Sequence, residues 1–133
     1  IDVEGRKTGI RVSGPKRITR AGMFNYCWPG CLTVMFDANI VGLIQIQDIK
    51  KNNDYAMWLK VCQKADCYLL SECLGKYRNG GVGSVRAHSI RTMIGWHYKL
   101  YHEAEAMNCI ESIINTGRNM LFGFYKKKRY VKR

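Results

Sequence analysis

Six cysteines, at positions 27, 31, 62, 67, 73 and 109, offer the most chemistry in this chain. A zinc site usually draws on Cys-x2-Cys pairs or on His partners at helical spacing. Here the gaps are three, thirty, four, five and thirty-five residues, which fits that pattern poorly. An even count in a small chain suits three disulfides in an oxidising compartment, with free thiols and zinc as the alternatives. Cys27, Cys31, Cys62, Cys67, Cys73 and Cys109 are therefore expected to pair, with all fifteen pairings open. His88, His97 and His102 fall in one predicted helix. Adjacent His88 and Ser89 point to different faces, which is poor geometry for a nucleophile and its base, so each histidine reads as satisfied or exposed. The chain has no Gly-x4-Gly-Lys-Ser/Thr run, no Gly-x-Ser-x-Gly elbow and no His-Glu-x-x-His. Gly80-Gly81-Val82-Gly83 follows no predicted strand, so it does not read as a phosphate loop. No metal and no cofactor is expected.

Charge points to partners. The 133 residues carry 22 Lys+Arg against 10 Asp+Glu, a formal net charge of +12. Residues 1–20 hold six bases against two acids, and residues 118–133 hold seven bases and no acid. The stretch between them holds nine bases and eight acids, close to neutral. Blocks of like charge usually stay solvated and often bind polyanions. The division expected is a basic arm over 1–17, a domain over 18–124 and a basic tail over 125–133. Lys126, Lys127, Lys128 and Arg129, flanked by Tyr125 and Tyr130, would suit contact with acidic glycans or nucleic acid. Binding of that kind weakens steeply with salt.

These candidates need elements to hold them. With 47% hydrophobic residues the chain can bury one core, and its apolar runs are too short to span a bilayer. The first residue is Ile rather than Met, which reads as a processed, secreted chain. A short helix is predicted over Ile18–Tyr26, stopped by Pro29-Gly30. Leu32–Phe36 and Ile40–Ile46, joined by Asp37-Ala38-Asn39, read as a β-hairpin. Asn53-Asp54 caps a stripe of Tyr55, Trp58, Leu59, Cys62, Leu69, Cys73 and Tyr77, a helix or helix pair. Ser84 is read as the cap of a long helix burying Ile90, Met93, Ile94 and Tyr101, and Ile110, Ile113, Ile114 and Leu121 suggest another. The class is α+β, mostly helical with a small antiparallel hairpin.

Gly42-Leu43-Ile44-Gln45-Ile46, after a short helix and within the expected hairpin, resembles the sheet-ending segment of the lysozyme superfamily. Within it the chain is most similar to the invertebrate-type, destabilase-like lysozymes. Three stretches carry that likeness: Tyr26–Cys31; Trp58, Cys62, Asp66, Cys67, Cys73 and Tyr77; and Asn79-Gly80-Gly81 followed by Thr92–Leu100. The stretch Tyr77–Arg86 also resembles goose-type lysozymes and lytic transglycosylases. The likeness covers about residues 24–100, and the six cysteines depart from a family that carries ten or more.

The resemblance implies a sugar cleft. Glycosidic cleavage needs a protonated carboxylic acid and usually a second carboxylate. The position matching the family's acid is Phe24, which has no proton to give, so the usual catalytic Glu is missing. Asp37 and Asp48 are the only nearby acids that could be recruited, and Trp28, Gln45, Asn79 and Trp96 would line the cleft. The function expected is a secreted cationic pseudoenzyme binding an acidic glycan, peptidoglycan or glycoprotein surface. An active muramidase and a basic nucleic-acid-binding or viral structural protein are the alternatives.

Overall fold

The computed structural model describes residues 1–78 and 88–132. Its elements in chain order are β1 (Arg11–Val12), β2 (Arg17–Ile18), α1 (Arg20–Asn25), α2 (Ala38–Val41), α3 (Asn53–Val61), β3 (Cys67–Tyr68), α4 (Ile90–Lys99), α5 (Cys109–Tyr130) and β4 (Val131–Lys132). The class is α+β, dominated by helix, and among the described residues the strands form two short antiparallel pairs. Strand β2 pairs with β3, Arg17 opposite Tyr68 and Ile18 opposite Cys67, and the Arg17 guanidinium closes on Asp66 at 2.6 Å. Strand β1 pairs with β4, Arg11 opposite Lys132 and Val12 opposite Val131, so the two basic ends of the chain meet. Helix α5 runs through the expected tail as far as Tyr130.

The antiparallel pairing lies elsewhere than the sequence predicts. No described strand occurs between residues 32 and 46, where the hairpin was expected. The Asp37 carboxylate accepts from Asn39 N at 2.8 Å, turning Ala38–Val41 into one helical turn that Gly42 ends at φ 73°. A β-rich run becomes a strand only with a neighbour to share its hydrogen bonds. Among the described residues nothing pairs with this one, and it leaves Met35 95% and Leu43 98% exposed. The stripe from Tyr55 to Tyr77 is helical only to Val61, after which β3 and an exposed stretch follow. The predicted cap at Ser84 lies outside the described residues, and α4 starts at Ile90 with the Ser89 hydroxyl on Thr92 N at 3.2 Å.

The core gathers Met23, Val41, Tyr55, Ala56, Trp58, Leu59, Leu100 and Tyr101, all buried. Its polar heart ties four elements together. The last carbonyls of a helix lack intrahelical partners, and side chains serve those of α1. Trp28 Nε1 donates to Gly22 O at 3.1 Å, the Tyr55 hydroxyl to Met23 O at 2.6 Å, and the Tyr101 hydroxyl to Phe24 O at 2.9 Å. The two amide hydrogens of buried Asn119 then reach the Tyr55 and Tyr101 hydroxyl oxygens at 3.1 and 3.3 Å. Helix α4 leads into a π-helical turn over Leu100–Ala104, which carries Leu100 and Tyr101 into this core.

Candidate functional site

A groove of about 900 Å³ opens among the described residues. Its walls come from the loop after α1, the turn leading into α3, and the facing sides of α4 and α5. Gly123 lets α5 close on this loop, because a Cβ there would meet the Tyr26 ring at 3.2 Å.

Asn52 sets up the acidic end of the groove. It adopts the left-handed conformation (φ 61°) that asparagine tolerates better than most residues, and the chain then enters α3 with Asn53 and Asp54 in the first turn. Asp54 Oδ1 accepts from Tyr55 N at 2.8 Å, and the Cys31 thiol donates to Oδ2 at 3.6 Å. A carboxylate at this place also gains from the positive end of the helix dipole. Asp54 is the single carboxylate among the described residues lining the groove.

The rest of the lining is cationic and aromatic. Lys50, Lys51 and Lys127 stand at the rim, and Lys51 Nζ lies 5.3 Å from the centre of the Trp96 ring. His97 is half-buried. Burial lowers its pKa from the ordinary 6.5 to about 4, so it is neutral near pH 7. Asn52 Nδ2 can only donate, so His97 Nδ1, 3.3 Å away, is the unprotonated nitrogen. The Tyr55 ring packs edge-on against His97 with centroids 6.3 Å apart. Behind the Tyr26 side, Lys126 lies over the Tyr26 and Trp28 rings at 4.8 and 5.9 Å, and burial lowers its pKa. Trp28 in turn meets Tyr130 edge-on.

A 68-residue stretch of the chain is 35% identical to a Bacillus subtilis (strain 168) protein, TuaG, whose name describes a glycosyltransferase of teichuronic acid biosynthesis. The matched stretch is 50% of this chain and 27% of that protein, so the chain spans about a quarter of its relative's length. No protein-family model matches, and no solved structure matches.

The structure brings together some of the residues singled out from sequence. Cys27, Cys31, Trp96 and Lys127 line the groove, while Trp28 and Lys126 form the aromatic cluster behind it. Asp37 is the exposed cap of α2 and Asp48 an exposed loop residue, and neither is part of the groove. Gln45 borders a separate pocket of about 290 Å³ beside Lys60 and Lys64. Lys128 and Arg129 are exposed near the end of α5, and Asn79 lies outside the described residues. Phe24, at the position matched to the missing acid, stacks on Tyr101 with ring centroids 6.3 Å apart. All six cysteines are free thiols in the structure. Cys62 and Cys67 bring their sulfurs to 3.5 Å, and Cys73 and Cys109 are exposed. Burial pushes the Cys27 thiol pKa up, keeping it protonated. Among the described residues no three His, Cys, Asp or Glu side chains come together as a metal site. Asp54 and His97 are the residues sequence reasoning missed, the first read only as a cap and the second as a bystander. The cap triplet Asn52-Asn53-Asp54 ahead of an apolar stripe was the available signal.

Proposed function

We propose that the groove handles an activated sugar, and that Asp54 accepts the proton of an acceptor hydroxyl as that hydroxyl attacks the anomeric carbon. The new C–O bond forms as the bond to a phosphate-bearing leaving group breaks, with the proton held on the Asp54 carboxyl. The observation carrying this reading is a lone carboxylate at a helix N-terminus facing a lysine-rimmed groove. Transfer needs one base, whereas hydrolysis by a lysozyme-type route usually takes two carboxylates. Lys50, Lys51 and Lys127 would offset charge building on a departing phosphate. The Trp96 ring offers a surface for stacking a base or sugar. The 35% identity to a protein named as a glycosyltransferase supports the same chemistry. That name refers to teichuronic acid, and a cationic rim suits an acidic glycan acceptor, the partner class expected from the charge of the chain. Titration calorimetry with a sugar nucleotide tests it. Binding should weaken more than tenfold in Lys51→Gln/Lys127→Gln and fall with added salt. Equal binding by wild type and variant would contradict the assignment of the groove.

A further inference from the structure

Helix α5 is turned inside out for a surface helix. Its buried residues are Ser112, Thr116 and Asn119, all polar, while Ile110, Ile113, Leu121 and Phe124 are 71%, 62%, 70% and 68% exposed. The sequence leads one to expect Ile110, Ile113, Ile114 and Leu121 in the core, and the Asn119 link to Tyr55 and Tyr101 explains the reversal. That link fixes the polar side of the helix inward. With Ile114, the exposed residues are separated by three, four and seven positions and so share one side of the helix, with Gly117 between its two halves. Phe124 carries the stripe to the groove edge, where Ile90 and Ile94 of α4 add further exposed apolar surface.

We propose that this outward face of α5 docks on an anionic lipid bilayer, lying in the plane of the interface. Charge complementarity selects the occupant. Arg118, Lys127, Lys128 and Arg129 are exposed on the same helix, and its one acid is Glu111 in the first turn. An apolar stripe with such cations beside it is the arrangement that inserts into the headgroup boundary while the cations meet lipid phosphates. A second copy of the chain is a poor occupant, since symmetric pairing of this face would set cations against cations in a chain of net charge +12. Spanning is a different matter: among the described residues no helix is long and apolar enough to cross a membrane. The capping box of Asn108 and Glu111 holds the start of the helix folded beforehand, so docking need not pay for ordering it. This inference stands apart from the sugar chemistry and does not depend on it.

Co-sedimentation with vesicles tests it. The chain should pellet with phosphatidylcholine vesicles containing phosphatidylglycerol and stay in solution with phosphatidylcholine alone. An exposed cation near such a surface changes partitioning about fivefold, so Lys128→Gln/Arg129→Gln should lose about 25-fold. Ile113→Asn/Leu121→Asn, with unchanged circular dichroism, should lose at least tenfold. Leu121→Trp gives an independent reading, its added indole emission shifting to the blue on the anionic vesicles. Failure to pellet with anionic vesicles, or retention by a soluble acidic polypeptide without vesicle binding, would overturn the proposal. So would vesicle binding indifferent to the Ile113 and Leu121 changes, which is adsorption by net charge alone, or an indole emission in the Leu121→Trp variant that the vesicles leave unshifted.

Discussion

Replacing Tyr55 by Phe removes one oxygen from the centre of the fold. That hydroxyl donates to Met23 O at 2.6 Å and accepts from Asn119 Nδ2 at 3.1 Å, and Tyr55 is 1% exposed. Its environment favours the neutral phenol strongly, because burial raises its pKa. The substitution leaves a helix-end carbonyl and an amide hydrogen without partners in a site closed to water. Each such orphan costs about 1–3 kcal/mol, which places the loss at about 3 kcal/mol. For a domain of this size that corresponds to a melting temperature lower by about 10 °C. Tyr101→Phe strips a parallel bond to Phe24 O at 2.9 Å and should cost about 2 kcal/mol. The double variant should lose less than the sum, since both hydroxyls share Asn119. Urea unfolding followed by circular dichroism measures all three. A Tyr55→Phe midpoint within about 0.5 kcal/mol of wild type, or strict additivity, would refute the network as the element that joins α1, α3 and α5.

Other consequences are smaller but equally checkable. His97 has a folded pKa of about 4 against an ordinary 6.5, so between those values the unfolded chain binds more protons. Stability should therefore fall as pH drops through that window, by up to about 3 kcal/mol, and His97→Gln should flatten the slope in urea titrations across it. Asn108→Ala removes the acceptor for Glu111 N at 2.9 Å and should cost about 1 kcal/mol by thermal unfolding. The Cys62 and Cys67 sulfurs stand 3.5 Å apart, and a hydrogen bond from the Cys62 thiol favours the Cys67 thiolate, lowering its pKa from the ordinary 9.0. Iodoacetamide should consequently label Cys67 first at pH 7, and Cys62→Ala should slow that labelling more than tenfold, as read by peptide mass.

How far the chain could be read without coordinates depended on whether local signals were sufficient. Helix α1 was legible to within two residues at its start, and Asn53-Asp54 marked the start of α3, because capping residues and apolar spacing act within a few positions. The hairpin over 32–46 was misread. Those residues have strand composition, and whether a strand forms depends on a pairing partner that composition cannot supply. The stripe beyond Val61 was over-extended for a related reason: Ile18 and Arg17, distant in sequence, recruit Cys67 and Tyr68 into a strand pair. Amphipathicity located α5 yet reversed its facing, since Asn119 bonds to Tyr55 and Tyr101 across long sequence separations. At the groove, Cys27, Cys31, Trp96 and Lys127 are legible from sequence as site candidates, whereas Asp54 reads only as a cap. An Asp at a helix start is ordinarily explained by its cap, and only the closure of α4 and α5 turns that cap into the wall of a cavity.

Sugar transfer by the full-length protein, measured with a radiolabelled sugar nucleotide, puts the central assignment to its most direct trial. A positioned base contributes about 10²–10⁴-fold, so Asp54→Asn should lower kcat at least a hundredfold with KM nearly unchanged, while Asp37→Asn retains full rate. Undiminished transfer by Asp54→Asn, or loss confined to Asp37→Asn, would contradict the account.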